Sequence, residues 1–181
     1  MPGPEFGLVE KPAIDFLKGL GYDYLPAEAN ETPRDGLNQV LLRDRVVEAV
    51  RRLNDVDLAT ARSVYQELLT VSDNERWTDI LRGQYSRSVP GESTRRTIRL
   101  IDFADPSANG FTVTNQLYVK SERPRIADLV IYVNGVPLVV IEAKKPGSGK
   151  LDSAFEQIKQ YEEQIPRLFH ANAFSIVTDR H

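Results

Sequence analysis

Apolar positions in the first half of the chain recur at helical spacing. Stepping 100° per residue from Val9, Val9, Ala13, Phe16, Leu17 and Leu20 gather on one side while Lys11, Asp15 and Lys18 fall opposite. Gly21 follows as a stop signal. A proline- and acid-rich loop, Pro26 to Gly36, comes next. Leu37, Val40, Leu41, Val47, Val50 and Leu53 predict a second helix ending at Asn54. Leu58, Ala61, Val64, Tyr65, Leu68 and Leu69 predict a third. Trp77, Ile80 and Leu81 predict a short fourth before Gly83.

The pattern then changes to strands. Thr97 to Phe103 is rich in β-formers, and Asp105-Pro106-Ser107 with Asn109-Gly110 forms a turn cluster. Phe111 to Val119 is the next strand. Ile126 to Val133 and Val136 to Lys144 flank Asn134-Gly135, a strong hairpin signal. After the flexible Gly147-Ser148-Gly149, the capping box Ser153-x-x-Glu156 opens a helix that stops before Pro166. Asn172 to Thr178 closes with another strand. The expectation is an α/β fold: a mixed central sheet flanked by helices, with a helical N-terminal half over about 1–83 and a sheet core over about 94–179, all one domain spanning 1–181. The last strand, helix and strand form a right-handed crossover.

Composition narrows the chemistry. The 181 residues contain no cysteine and only two histidines, His170 and His181. This excludes disulfides, thiolate zinc sites and cysteine nucleophiles, and leaves no basis for a multi-histidine metal site or a histidine triad. Any catalysis falls to carboxylates, lysines and a hard cation. Apolar runs such as Leu138 to Ile141 are far shorter than the ~20 residues of a membrane span, and Met1 to Glu10 lacks the basic start of a signal peptide. The net charge of −3 is unevenly spread: residues 1–80 hold 9 basic and 15 acidic side chains, and residues 81–181 hold 14 and 11. Arg82, Arg87, Arg95, Arg96 and Arg99 face only Glu92 among acids in that stretch. They read either as a phosphate-facing patch for DNA or as a solvated strand face.

Three ionisable residues, Asp128, Glu142 and Lys144, stand in two strands that are apolar on both faces. Buried there, they must neutralise one another or a cation. Glu142 and Lys144 share a face. Asp128 joins them only if the hairpin register departs from a plain two-residue turn, which would set Asp128 opposite Ile141 and send Glu142 to the other face. A three-residue loop, Val133-Asn134-Gly135, or an equivalent bulge makes the carboxylates diagonal neighbours ~7–8 Å apart. Asp128, Glu142 and the Ala143 carbonyl then form an oxygen-rich shell suited to Mg2+, with Mn2+ able to substitute. Lys144 would orient or deprotonate a water and stabilise developing charge. This is equipment for phosphodiester hydrolysis; an internal Asp–Lys or Glu–Lys pair is the structural alternative. Gln157 and Tyr161, at i and i+4 on the following helix, either bond a phosphate or the attacking water, or simply pack that helix on the sheet. Glu10 falls on the apolar side of the first helix, either paired there or at a frayed start. Gly147-Ser148-Gly149-Lys150 fails as a P-loop, because Lys144 stands at the first glycine position and Leu151 follows the lysine.

The run Asp128…Val133-Asn134-Gly135-x-Pro137…Glu142-Ala143-Lys144-x-Pro146 resembles the N-terminal nuclease domain of the restriction (R, HsdR) subunit of type I restriction–modification enzymes. Glu5-x3-Val9-Glu10, Leu20-Gly21-Tyr22, Val40-Leu41-Leu42 through Leu53-Asn54, Leu100-Ile101-Asp102-Phe103, Asn115-Gln116, Gln157-x3-Tyr161 and Gln164-Ile165-Pro166-x-Leu168-Phe169 extend the likeness over nearly the whole chain. The resemblance implies a PD-(D/E)xK nuclease core, with Asp128, Glu142 and Lys144 in metal and catalytic roles, Glu10 as the helical acid and Gln157 with Tyr161 as the accessory motif. Two departures stand out. Arg125-Ile126-Ala127 lacks the usual proline before Asp128, and Ala143 replaces a commoner leucine. The resemblance further implies a cytoplasmic bacterial or archaeal DNA hydrolase that cuts duplex DNA without reading its sequence. Its motor domains, ATP use and docking to methyltransferase (M) and specificity (S) subunits would belong to the full-length R subunit. The competing expectation is a nuclease-like module that binds DNA or docks partners without cutting.

Overall fold

A computed structural model describes residues 6–145 and 151–179. The segment 146–150, with its glycines and Pro146, lies outside the described residues. A π-helical turn, Phe6–Glu10, leads into α1 (Lys11–Gly19). Then come β1 (Asp23–Leu25), α2 (Arg43–Asn54), α3 (Leu58–Leu68) and α4 (Asn74–Leu81). A small hairpin of β2 (Ser86–Ser88) and β3 (Arg95–Thr97) precedes β4 (Phe111–Val119), β5 (Arg125–Val133) and β6 (Val136–Ala143). Helix α5 (Leu151–Gln164) and β7 (Phe174–Thr178) complete the chain. The five-stranded sheet runs β1-β4-β5-β6-β7, antiparallel at its centre and parallel at both edges. The class is thus α/β with a mixed sheet, as the pattern predicts.

The sheet is covered on both faces, which is why its central strands are apolar throughout. On one face Ile14 of α1 packs with Val113, Leu129, Val139 and Ile141. On the other, Ile158, Tyr161 and Ile165 of α5 pack with Leu117, Val130, Tyr132 and Val140. A third cluster joins α2, α3 and α4 to Tyr85, Ile98 and Leu100 and abuts Val136 at the β5–β6 turn. Each fully buried side chain of this kind is worth roughly 1.5–3 kcal/mol, so helices and sheet stabilise each other.

Three predicted elements are corrected, and one strand was not predicted. The second helix starts at Arg43, not near Leu37. Val40 and Leu42 enter the cluster under α5 while Leu41 enters the helical cluster, which is the alternation of an extended chain. Thr97 to Phe103 forms a strand only at Thr97, because after the Ile98 N–H bond to Tyr85 O the backbone turns to side chains: Arg99 N–H donates to Asn54 Oδ1 at 2.7 Å and Asp102 N–H to Asn109 Oδ1 at 2.9 Å. Ser153 sits inside α5, which is already helical at Leu151, so the capping box does not mark its start. Finally, β1 is a strand in the helical half. With three residues between Gly21 and Pro26 it is too short to show a period, yet it pairs in parallel with Thr112–Thr114.

The β5–β6 turn is anchored from outside. Asn134 (φ 51°) and Gly135 (φ 81°) adopt the left-handed conformations of a two-residue hairpin. The buried Asn134 side chain accepts from Gly110 N–H and donates to Leu100 O and Asn109 Oδ1, each at 2.8 Å. Gly135 O accepts from Leu42 N–H at 2.9 Å, which seats the start of α2 on the turn. A Cβ at Gly135 would lie 2.7 Å from Leu42 O and 2.9 Å from Val46 N. Gly83 has a similar φ of 80° but open space around it. Gly135→Ala should therefore cost about 1–3 kcal/mol more than Gly83→Ala, read from urea denaturation midpoints at unchanged slope.

Candidate active site

The register of β5 against β6 decides whether the site exists. The turn is two-residue, Val133 pairing Val136 and Tyr132 pairing Pro137, so the expected three-residue loop is corrected. The shift comes one step later. Ile131 pairs Val139, leaving Leu138 as an extra residue, and Val130 pairs Val140 and Leu129 pairs Ile141. This is the equivalent bulge. Continuing that register sets Asp128 directly opposite Glu142 instead of diagonal to it. The two carboxylates meet on one side: Asp128 Oδ2 accepts from the Ala143 N–H at 2.9 Å, and the Asp128 charge acts on Glu142.

Around Asp128 a first network forms. The Gln116 amide Nε2 donates to Glu10 Oε1 at 3.0 Å and to Asp128 Oδ1 at 3.4 Å. Glu10 is 2% exposed at the end of the π-helical turn. Pro12 offers no N–H to that turn, which favours its widened winding. The spatial pairing of Glu10 with Gln116 resolves its odd position on an apolar helix face. Gln116 has φ 49°, left-handed, between the paired residues Asn115 and Leu117. For a non-glycine residue this costs roughly 1–2 kcal/mol. It also changes the strand's alternation: Val113 packs with α1 while Leu117, four residues on, packs under α5. Sequence reasoning gave Gln116 no role. Its signals were a polar Asn115-Gln116 pair interrupting a β-rich strand and the place of that pair among the motifs of the family resemblance; its backbone strain left none.

Around Glu142 a second network forms. Lys144 Nζ donates to Glu142 Oε1 and to Gln157 Oε1, both at 2.7 Å. Gln157 Nε2 donates to the Tyr161 hydroxyl, which in turn donates to Ile126 O at 2.9 Å. Helix α5 thus reaches over β6 to β5, and its Gln–Tyr pair fixes the lysine. Glu142 and Tyr161 are buried, whereas Asp128, Gln116, Lys144 and Gln157 are partly exposed and form an accessible rim.

The electrostatics follow from that burial. Glu142 is pushed up to about 7, first by burial and then by the Asp128 charge, with Lys144 pulling the other way. Tyr161 is raised, chiefly by burial and then by Glu142. Glu142 Oε2 is buried with no hydrogen-bond donor, an expensive state for a carboxylate oxygen. Among the described residues no group of three or more His, Cys, Asp or Glu converges closely enough to hold a metal. Two carboxylates and the Ala143 carbonyl remain as oxygen donors, and a small hard cation that keeps several waters fits that set.

The five arginines are not brought to this site. Leu100 O bonds the Asn134 side chain, so the β2–β3 segment lies at the turn end of β5. Asp128 is five residues from Val133, roughly 17 Å at strand rise. Four of the five are engaged internally. Arg87 bonds Glu67 and Ser63, both at 3.0 Å. Arg95 bonds Ser86. Arg96 pairs Glu92 at 2.7 Å and donates to Asn54 O at 2.8 Å, and Arg99 donates to Leu53 O at 3.1 Å. The last two cap the carbonyl end of α2, where cations are favoured. Arg82 is exposed on the end of α4.

No helix among the described residues is long and apolar enough to cross a membrane. A family model described as the type I restriction enzyme R protein N terminus matches residues 4–181. The chain is 32% identical to the type I restriction enzyme HindI endonuclease subunit of Haemophilus influenzae, over 94% of this chain and 18% of that protein. It is 31% identical to the putative type I restriction enzyme MjaIXP endonuclease subunit of Methanocaldococcus jannaschii, over 95% of this chain and 18% of that protein. A Staphylococcus aureus endonuclease subunit, SauCOLORF180P, is 28% identical over 86% of this chain and 16% of its own length. The chain therefore spans about a fifth of the length of these relatives. It belongs to the family of type I restriction enzyme R protein N termini.

Proposed function

We propose that this chain is the Mg2+-dependent endonuclease domain of a type I R subunit, with a PD-(D/E)xK core. It hydrolyses duplex DNA phosphodiesters without reading sequence. In the full subunit it cuts when coupled to an ATP-driven translocase and assembled with methyltransferase and specificity subunits, in the cytoplasm. The observation that carries this reading is the convergence of Asp128, Glu142 and Lys144 through a single bulge, with a buried Glu142 oxygen left without a donor.

Asp128, Glu142 and the Ala143 carbonyl would hold the Mg2+. That ion supplies polarisation of a phosphoryl oxygen and acidification of a bound water. The protein's own part is positioning. Gln157, fixed by Tyr161 on the Ile126 carbonyl, holds the Lys144 ammonium beside Glu142. Two of its three protons are engaged, leaving one for the attacking oxygen or the developing phosphoryl charge. Glu10 lies buried behind Asp128, joined to it through Gln116, so the acids of the site approach one another without a second cation between them.

Cleavage by the assembled full-length enzyme tests the reading. Asp128→Ala should abolish it. Lys144→Ala should lower it by ~10²–10³-fold with Mn2+ binding retained. Intact cleavage in Asp128→Ala would overturn the assignment and leave a DNA-binding or docking module.

Linkage gives a second outcome. Because the folded-state value for Glu142 lies near 7 and its ordinary value is 4.5, the folded protein binds the extra proton between them. The group's favourable contribution is complete below the ordinary value and is lost as pH rises through 7. The groups facing it are the Asp128 carboxylate, the Lys144 ammonium and the neutral Tyr161 hydroxyl. Metal-free protein should lose about 3 kcal/mol relative to Glu142→Gln between pH 4.5 and 8, and Mn2+ at pH 8 should reverse the difference. Parallel denaturation curves at the two pH values check this.

A further inference from the structure

Resting on the metal-site reading above, we propose that Gln116 is a positioning residue of the site, orienting the Asp128 carboxylate toward a divalent cation from an amide that is anchored on buried Glu10. Two observations converge. The backbone at Gln116 is left-handed in mid-strand, with φ 49°, between residues that pair regularly with β5. Such strain persists only where surrounding contacts enforce it. The side chain that this conformation aims outward joins two acids from distant parts of the chain, 106 and 12 positions away.

The enforcing contacts come from β1 and the loop that follows it. Asn30, buried in the loop between β1 and α2, donates to Thr114 Oγ1 at 3.1 Å and to Asn115 O at 3.0 Å. Tyr24 donates its hydroxyl proton to Asn115 Oδ1 at 2.8 Å. Thr114 Oγ1 donates to Leu25 O at 2.7 Å. On the far side, the buried Arg34 donates to Asn30 O at 2.9 Å and to Tyr118 O at 3.0 Å. Both flanks of Gln116 are therefore clamped from one loop, and the strand must kink between them.

The residue type suits the task. A primary amide carries two N–H donors and no charge. It can gather two carboxylates without neutralising them, so their negative charge remains available to a cation. A lysine or arginine at this point would compete with the metal, and an acid would drive the pair apart. Gln116 acts through Glu10 and Asp128; it is not a catalytic residue.

The test uses Mn2+ alone, titrated calorimetrically into the metal-free chain, with melting temperatures measured beside it. Gln116→Gly removes both strain and amide. It should raise the metal-free melting temperature by about 2–4 °C while weakening Mn2+ binding by ~10–100-fold. Gln116→Met keeps the length and strain but loses the donors, and should weaken Mn2+ binding to the same degree without the gain in stability. A Mn2+ affinity within about twofold of the native chain in both variants would overturn the proposal. So would a Gln116→Gly variant that melts lower with unchanged Mn2+ binding, since a merely structural glutamine behaves that way. The native chain and Asp128→Ala separate the two levels. If the native chain binds Mn2+, Asp128→Ala does not, and Gln116→Gly binds as the native chain does, only the role of Gln116 fails. If the native chain binds no Mn2+, the metal-site reading fails and takes this inference with it.

Discussion

The site depends on one extra residue in β6. Because side chains alternate with period two, a slip of one residue exchanges the faces of everything beyond it. Without the bulge at Leu138, the two-residue turn would set Asp128 opposite Ile141 and bury Glu142 on the far side of the sheet. With it, the carboxylates oppose each other. The bulge is held in place from outside the β5–β6 pair: Leu138 O accepts from Ala173 N–H at 2.8 Å and from Asn172 Nδ2 at 3.2 Å. The approach to β7 thus secures the register that creates the site. The turn itself is pinned by Asn134 and by the α2 start on Gly135. Each end of the hairpin is fixed by a different part of the fold, which leaves the register no freedom to relax.

Two polar networks then divide the work by charge. The first, on Asp128, is built from an uncharged amide donor and a backbone N–H and contains no cation. The second, on Glu142, includes a cation and is anchored through Gln157 and Tyr161 to β5. They are joined at Ala143, whose N–H serves the first while its neighbours Glu142 and Lys144 belong to the second. An unpaired buried carboxylate costs several kcal/mol. The Lys144 pair at 2.7 Å offsets this for one Glu142 oxygen only, and burial with Asp128 nearby keeps the proton affinity of that group high.

How much of this was legible follows from what leaves a periodic trace. Helices α3 and α4 show their period because each buries one stripe, and strands β5 and β6 show as continuous apolar runs because both faces of the sheet are covered. The candidate trio Asp128, Glu142 and Lys144 was visible because charged residues in doubly apolar strands demand an explanation, and only a shifted register brings the two carboxylates together. What stayed hidden lacks such a trace. Leu37 to Leu42 mimics a helix because Val40, Leu41 and Leu42 are buried consecutively into two different clusters. The arginines of 82–99 looked like a phosphate patch because a sequence shows their charges but not the α2 carbonyls, Glu67 or Glu92 that engage them. Gln116 was hidden most completely, since a positive φ at a glutamine comes from tertiary clamping by Asn30 and Arg34, residues some eighty positions away.

The Lys144–Glu142 pair raises a final point about how such a site works. If Lys144 is to serve a water or a phosphoryl oxygen, its hold on Glu142 must weaken at the moment of need. A divalent cation on Glu142 would do this, because it satisfies the carboxylate more strongly than an ammonium does and repels the ammonium outward. Gln157 then becomes the anchor that keeps Lys144 beside the site instead of releasing it to solvent, and Tyr161 is what keeps Gln157 from following. On the proposed function, the pair seen without metal is therefore a resting arrangement. The acid and the lysine would neutralise each other until Asp128 and Glu142 hold a cation, and α5, through Gln157 and Tyr161, would then keep Lys144 in place.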